Sequence, residues 1–119
     1  MSAHGLGALR SDGIWLRMAL SVTALLVLSG SARAADRVSM ARQGEAVYTA
    51  QGCHGCHTIG KAGTPIATDL TRIGTKYSEG YLRSWLADPS RQKPTAHMPR
   101  IALTDAEIQA LAAYLGSLR

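Results

Sequence analysis

The sequence predicts an all-α fold of three to four short helices, and three observations carry that expectation. No stretch alternates apolar and polar residues in the two-residue rhythm of a strand, whereas four segments show helical spacing with caps or breakers at their ends. The segments between them are rich in Gly and Pro and long for so short a chain. Something other than helix packing must therefore fill the middle.

The chain opens with the marks of an export leader. Arg10 and Arg17 precede residues 18–28, an unbroken run of small and apolar side chains, and Ala32-Arg33-Ala34 offers small residues at the two positions that a signal peptidase inspects. The run is too short to span a bilayer, which takes about 20 predominantly apolar residues. Extension backward meets Arg17, and extension forward meets Gly30 and Arg33. The expectation is a signal peptide over residues 1–34, cleaved on passage to the periplasm, with retention as a membrane anchor as the alternative. Residues 35–119 would then form one small domain, short of apolar surface to offset its conformational entropy.

The first helix of that domain is expected over residues 40–50, with Gly44, Val47 and Tyr48 on one face, Met40 in a core role and Gly52 as the stop. Residues 58–65 hold two glycines and Pro65 and read as a loop. Residues 69–74 suggest a turn and a half of helix, with Leu70 and Ile73 inward and Gly74 ending it. A third helix follows Ser78, a suitable N-cap, and runs through Leu86 until Pro89 closes it. Leu82, Trp85 and Leu86 share one of its faces. The last helix is the most fully specified: Thr104 with Glu107 makes a capping box, and Leu103 before the cap can staple against Ile108. Ile108, Leu111, Ala112, Leu115 and Leu118 continue as an apolar stripe.

Between the first two helices lies Cys53-His54-Gly55-Cys56-His57, two thiols three positions apart followed at once by an imidazole. This is the pattern of c-type haem attachment. Each thiol can add across one porphyrin vinyl group, and His57, one step past the second anchor, is placed to ligate the iron. Zinc would need four ligands, and only His54, His57 and His97 remain after the leader to join the two cysteines. A thioredoxin-like dithiol should follow a strand. The residues before Cys53 read as helix and then turn. A covalent haem is also the rigid apolar body that the long loops and small core call for, and an apo-protein is expected to fold poorly.

An iron held by one His keeps an open face, and the group that fills it decides between electron carrier and catalyst. After the leader the chain has two methionines. Met98 lies in an irregular segment fenced by Pro94 and Pro99, which deny helix, and a thioether raises the reduction potential relative to a second His. Met98 is the expected sixth ligand. His97 is the rival, since adjacent side chains on an extended segment point to opposite sides. His97 and His54 are otherwise read as solvent-exposed. The indole N–H of Trp85 wants a partner, and a haem propionate is one candidate.

Removing Arg10, Arg17, Arg33 and Asp12 with the leader lowers the formal charge from +5 to about +3, still mildly basic. That suits docking to an acidic redox partner, with Lys61, Lys76, Arg91 and Lys93 as candidate contacts. No basic run interleaved with aromatics points to nucleic acid. Membrane contact is expected only if the leader is retained.

Cys53-His54-Gly55-Cys56-His57, Leu82 with Trp85 and Pro89, Met98-Pro99, and the ending from Leu103 through Leu115 together resemble a class I cytochrome c of the small bacterial monohaem type. The likeness covers essentially all of residues 35–119. It implies a cytochrome c fold around one covalent haem c, with thioethers at Cys53 and Cys56 and axial iron ligands at His57 and Met98. It also implies that an N-terminal helix crosses the C-terminal one, with Gly44 and Tyr48 meeting Leu111 and Tyr114. One departure stands out: the family places a Gly-Pro pair before the leucine that Leu70 matches, and the proline carbonyl orients the proximal His. This chain reads Ala67-Thr68-Asp69-Leu70 there. The carbonyl that serves His57 is left open.

The expected function is periplasmic one-electron transfer through the exposed haem edge, not enzymatic catalysis. Two alternatives stand beside it: the haem subunit of a periplasmic oxidoreductase complex, and a five-coordinate ligand-binding or catalytic haem protein.

Overall fold

The computed structural model describes residues 12–119, with side chains described from residue 31. Arg17 and the apolar run over residues 18–28 therefore fall outside the described side chains, and Arg10 outside the described chain altogether. The chain divides into two compact units at the junction of Ala34 and Ala35. In the first, the described part is helical backbone. Among the described residues no helix is long and apolar enough to cross a membrane.

The described chain is mostly helical, as expected, with α1 (Asp12–Ala50), α2 (Ile73–Lys76), α3 (Glu79–Ala87), α4 (Pro89–Gln92) and α5 (Asp105–Ser117). A 3-10 turn at Cys53–Gly55 and the short strands β1 (Thr58–Ile59) and β2 (Ala62–Gly63) lie between α1 and α2. The helix expected over residues 40–50 is the end of a longer one. Residues 31–39 contain no Pro or Gly, so nothing upstream of Met40 stops it. Gly52, at φ 69°, ends it with a left-handed conformation that side-chain-bearing residues avoid. Met40 is 36% exposed, and its expected place in the core is corrected.

The helix expected over residues 69–74 is displaced to Ile73–Lys76. Asp69 Oδ1 accepts the Thr71 N–H at 2.7 Å, and the Leu70 N–H donates to the Thr58 carbonyl at 2.8 Å. Those bonds compete with helix at its expected start. Leu70 and Ile73 still turn inward. Gly74 is no stop but a point of close approach, its N–H donating to the Leu118 carbonyl at 2.9 Å. Pro89 likewise opens a helix rather than only closing one: Asp88 caps α4 by accepting the Arg91 N–H, and Pro89 takes the first turn, where its missing donor costs nothing.

The helices α3 and α5 pack together, and α2 and α4 attach to them. Ser78 caps α3 by accepting the Tyr81 N–H at 3.2 Å. Tyr48, Leu70, Ile73, Leu82, Leu86, Leu111, Ala112 and Leu115 form the core, with Leu111 only 1% exposed. The end of α1 reaches α5 through Tyr48 and Tyr114, whose rings meet edge to face at 5.9 Å.

The capping box at the start of α5 is present in full. Thr104 Oγ1 accepts the Glu107 N–H at 3.3 Å, and the Thr104 N–H donates to Glu107 Oε2 at 2.7 Å. The backbone and hydroxyl of Thr104 hold the Glu107 carboxyl below its ordinary pKa. A carboxylate whose folded pKa is depressed stabilises above its unfolded value and loses that contribution as pH falls through the folded one. Thr104→Ala is expected to cost about 1 kcal/mol at neutral pH in chemical denaturation, and less once the solution is acid enough to protonate Glu107.

Candidate functional site

The site is built on a tightly wound turn. The Cys56 N–H donates to the Cys53 carbonyl at 3.2 Å, and the His57 N–H donates to the same oxygen at 3.0 Å. This tight winding holds Cys53, Cys56 and His57 together. Both thiols are free, Cys53 half-buried against the core and Cys56 exposed. Burial pushes the Cys53 thiol pKa up, with an opposing contribution from its own backbone and a smaller rise from Cys56. A nucleophilic dithiol needs the opposite, a thiol eased toward thiolate. Among the described residues no three His, Cys, Asp or Glu side chains gather as a metal site, so the zinc alternative finds no ligand set.

The segment expected as a loop folds back over this turn as a hairpin, with Thr58 opposite Gly63 and Ile59 opposite Ala62. Four bonds fasten the following chain to it: Thr64 N–H to the His54 carbonyl, Ile66 and Ala67 N–H to the Cys56 carbonyl, and Leu70 N–H to the Thr58 carbonyl. Gly63, at φ 103°, passes so near the His57 carbonyl that a Cβ there would overlap it. Only glycine satisfies both constraints.

The consequence falls on His57. Its Nδ1 lies 2.7 Å from the Thr68 carbonyl, which fixes Nδ1 as the protonated nitrogen and leaves Nε2 with its lone pair. The carbonyl left open by the sequence is that of Thr68, two residues before Leu70. Tyr48 braces the same stretch, its hydroxyl donating to the His57 carbonyl at 3.4 Å. Burial, and then the neighbouring Cys53 and Tyr114, raise the pKa of that phenol.

Met98 is held separately, from α3. The Trp85 indole N–H donates to Met98 Sδ at 3.2 Å. Met98 is half-buried and packs against the same core cluster as Cys53, whereas His97 and His54 are exposed. A thioether sulfur has lone pairs enough to accept the indole proton and bind a soft metal. Lys61, Lys76, Arg91 and Lys93 are all exposed. The Trp85–Met98 contact is the part that sequence reasoning missed, because no spacing rule links residues 13 apart in an irregular segment.

Free thiols at the right spacing, an imidazole with one nitrogen tied and the other available, and a thioether on the same core fit the chemistry of a covalently held haem. The comparisons with known proteins agree. The family model described as Cytochrome c matches residues 41–119. Over 90 residues, 68% of this chain, the sequence is 32% identical to Cytochrome c oxidase subunit 2 of Alkalihalophilus pseudofirmus. The matched stretch is 26% of that relative, so the chain spans about a quarter of its length.

Proposed function

Because this chain belongs to the cytochrome c family, whose members carry covalent haem c and transfer electrons, we propose that it is a periplasmic one-electron carrier with His57 and Met98 as axial ligands. Haem c supplies a ferrous–ferric couple that needs no bond to substrate. Cys53 and Cys56 anchor it through thioethers. Thr68 keeps the His57 ring in one tautomer and one orientation, as partners of ligating imidazoles do. Trp85 holds Met98 by its sulfur. The bond from His57 to Thr68 carries the reading, since it presents Nε2 as a ligand next to two free thiols.

Export is supported by the leader pattern of residues 1–34. Electrons would pass to partners with acidic docking surfaces through a small, salt-sensitive encounter, with the exposed Lys61, Lys76, Arg91 and Lys93 as contacts. The test is a redox titration of the purified holoprotein with optical spectra at each step. A reversible one-electron couple, six-coordinate and low-spin at both ends, is expected; rapid carbon monoxide binding by the ferrous form contradicts it.

The indole bond to Met98 draws electron density from the sulfur and so favours the ferrous ion. Trp85→Phe is expected to lower the potential by about 40 mV, the net worth of one hydrogen bond expressed for a one-electron couple, measured in the same titration.

The likeness to an oxidase subunit favours one second reading, that the chain serves as the haem module of a larger oxidoreductase. Stable co-purification with a larger catalytic chain is its signature.

A further inference from the structure

The carbonyl that meets His57 comes from a residue without the restraint a proline would supply. A proline fixes its own φ at about −65°, so the peptide that carries its carbonyl starts from one backbone angle already set. Thr68 has no such lock, yet its carbonyl lies 2.7 Å from His57 Nδ1. The next residue supplies a lock from the other side. Asp69 Oδ1 accepts the Thr71 N–H at 2.7 Å, closing side chain onto backbone two residues on, and this restricts the backbone at the far end of the planar Thr68–Asp69 peptide. Thr71 in turn joins the hairpin, its Oγ1 accepting the Gly60 N–H at 2.8 Å just beyond β1. Between these contacts the Leu70 N–H donates to the Thr58 carbonyl at 2.8 Å. Residues 68–71 are thus laid along residues 57–60 by three bonds, and the bond to the imidazole ring is the first of them.

We propose that Asp69 is a positioning residue for the proximal ligand, its carboxylate latching the segment through Thr71 so that the Thr68 carbonyl stays aimed at His57 Nδ1. The proposal rests on the reading that His57 Nε2 binds the iron. Asp69 is exposed, lies outside every described helix and forms no part of the core, so its removal leaves the packing intact. The hydroxyl and then the N–H of Thr71 hold its carboxyl below the ordinary carboxylate range, which keeps it an acceptor at neutral pH. A firm bond at Nδ1 makes the imidazole a more basic ligand and so favours ferric iron. Without the latch the carbonyl can swing, the bond weakens and the potential rises. Loss of a negative charge raises the potential by itself, whatever the geometry. Asparagine separates the two effects, because its side-chain oxygen accepts the same N–H without the charge.

The experiment follows the His57 Nδ1 proton by NMR in the reduced, isotopically labelled holoprotein, and sets its exchange with water beside the reduction potential for wild type, Asp69→Asn and Asp69→Ala. Wild type and Asp69→Asn are expected to exchange alike. Asp69→Ala should exchange roughly two- to tenfold faster, the factor that corresponds to the net worth of one hydrogen bond, and its potential should lie above that of Asp69→Asn. Circular dichroism should be the same for all three. Exchange in Asp69→Ala at the wild-type rate, or in Asp69→Asn as fast as in Asp69→Ala, overturns the positioning role while leaving His57 as the ligand. A wild-type spectrum in which His57 is not on the iron overturns the ligand reading first and the role of Asp69 with it.

Discussion

Met98→Ala is expected to change the visible spectrum outright, with loss of the six-coordinate low-spin form, rapid carbon monoxide binding by the ferrous protein and a large fall in potential. Thioether sulfur prefers ferrous iron, and axial ligation moves haem potentials over roughly 0.8 V, so replacing sulfur with water should cost a sizeable part of that range. The fold should survive. Met98 lies outside the helices, is half-buried and leaves the Trp85 indole free to bond water. A spectrum identical to wild type would instead assign the sixth position to another group, with the adjacent His97 the first to examine.

The second large effect is structural and falls on Gly44→Ala. A Cβ at Gly44 would overlap the Ala110 carbonyl and crowd Tyr114 Cβ at 2.7 Å, so the helix backbones themselves set the contact. Side-chain rotation cannot relieve a clash with a carbonyl. Overpacking of a core costs typically about 1–3 kcal/mol, and here the upper end is expected because α1 must shift off α5. The domain is small, and such a loss is a large fraction of the stability that proteins of this size possess. Chemical denaturation of the holoprotein, followed by circular dichroism, should show a markedly lower midpoint. Leu111→Ala, at a 1% exposed position, should cost a comparable amount by the opposite fault, a cavity.

The two variants also separate the parts of the fold that a linear sequence encodes strongly from those it does not. The capping box of Thr104 and Glu107, the Ser78 cap and the Cys53 to His57 turn all depend on residues within four positions of each other, and each was readable. The upstream start of α1 was not, because its residues carry helix-forming character without a stop. The displaced α2 and the single turn of α4 answer to Asp69 and Asp88, short side chains whose bonds to nearby backbone redirect the chain. Two-residue strands leave no periodicity to detect.

At the site, the side chains announced themselves and their supports did not. Two cysteines and a histidine have a spacing. The Thr68 carbonyl that orients His57 is backbone, and any residue could provide it. Pro65 lies three positions early, yet the loop still delivers a carbonyl to the ring because Gly63, Ile66, Ala67 and Leu70 pin it against the turn. The Gly-Pro pair of the family is thus one way to present that acceptor, and this chain uses another.

The most direct measurement is the intact mass of the purified, acid-denatured polypeptide. The account predicts one haem still bonded to the chain under denaturing conditions, located by fragmentation on the peptide that contains Cys53 and Cys56. A polypeptide of unmodified mass with two free thiols, or one lighter by the two hydrogens of a disulfide, would contradict it.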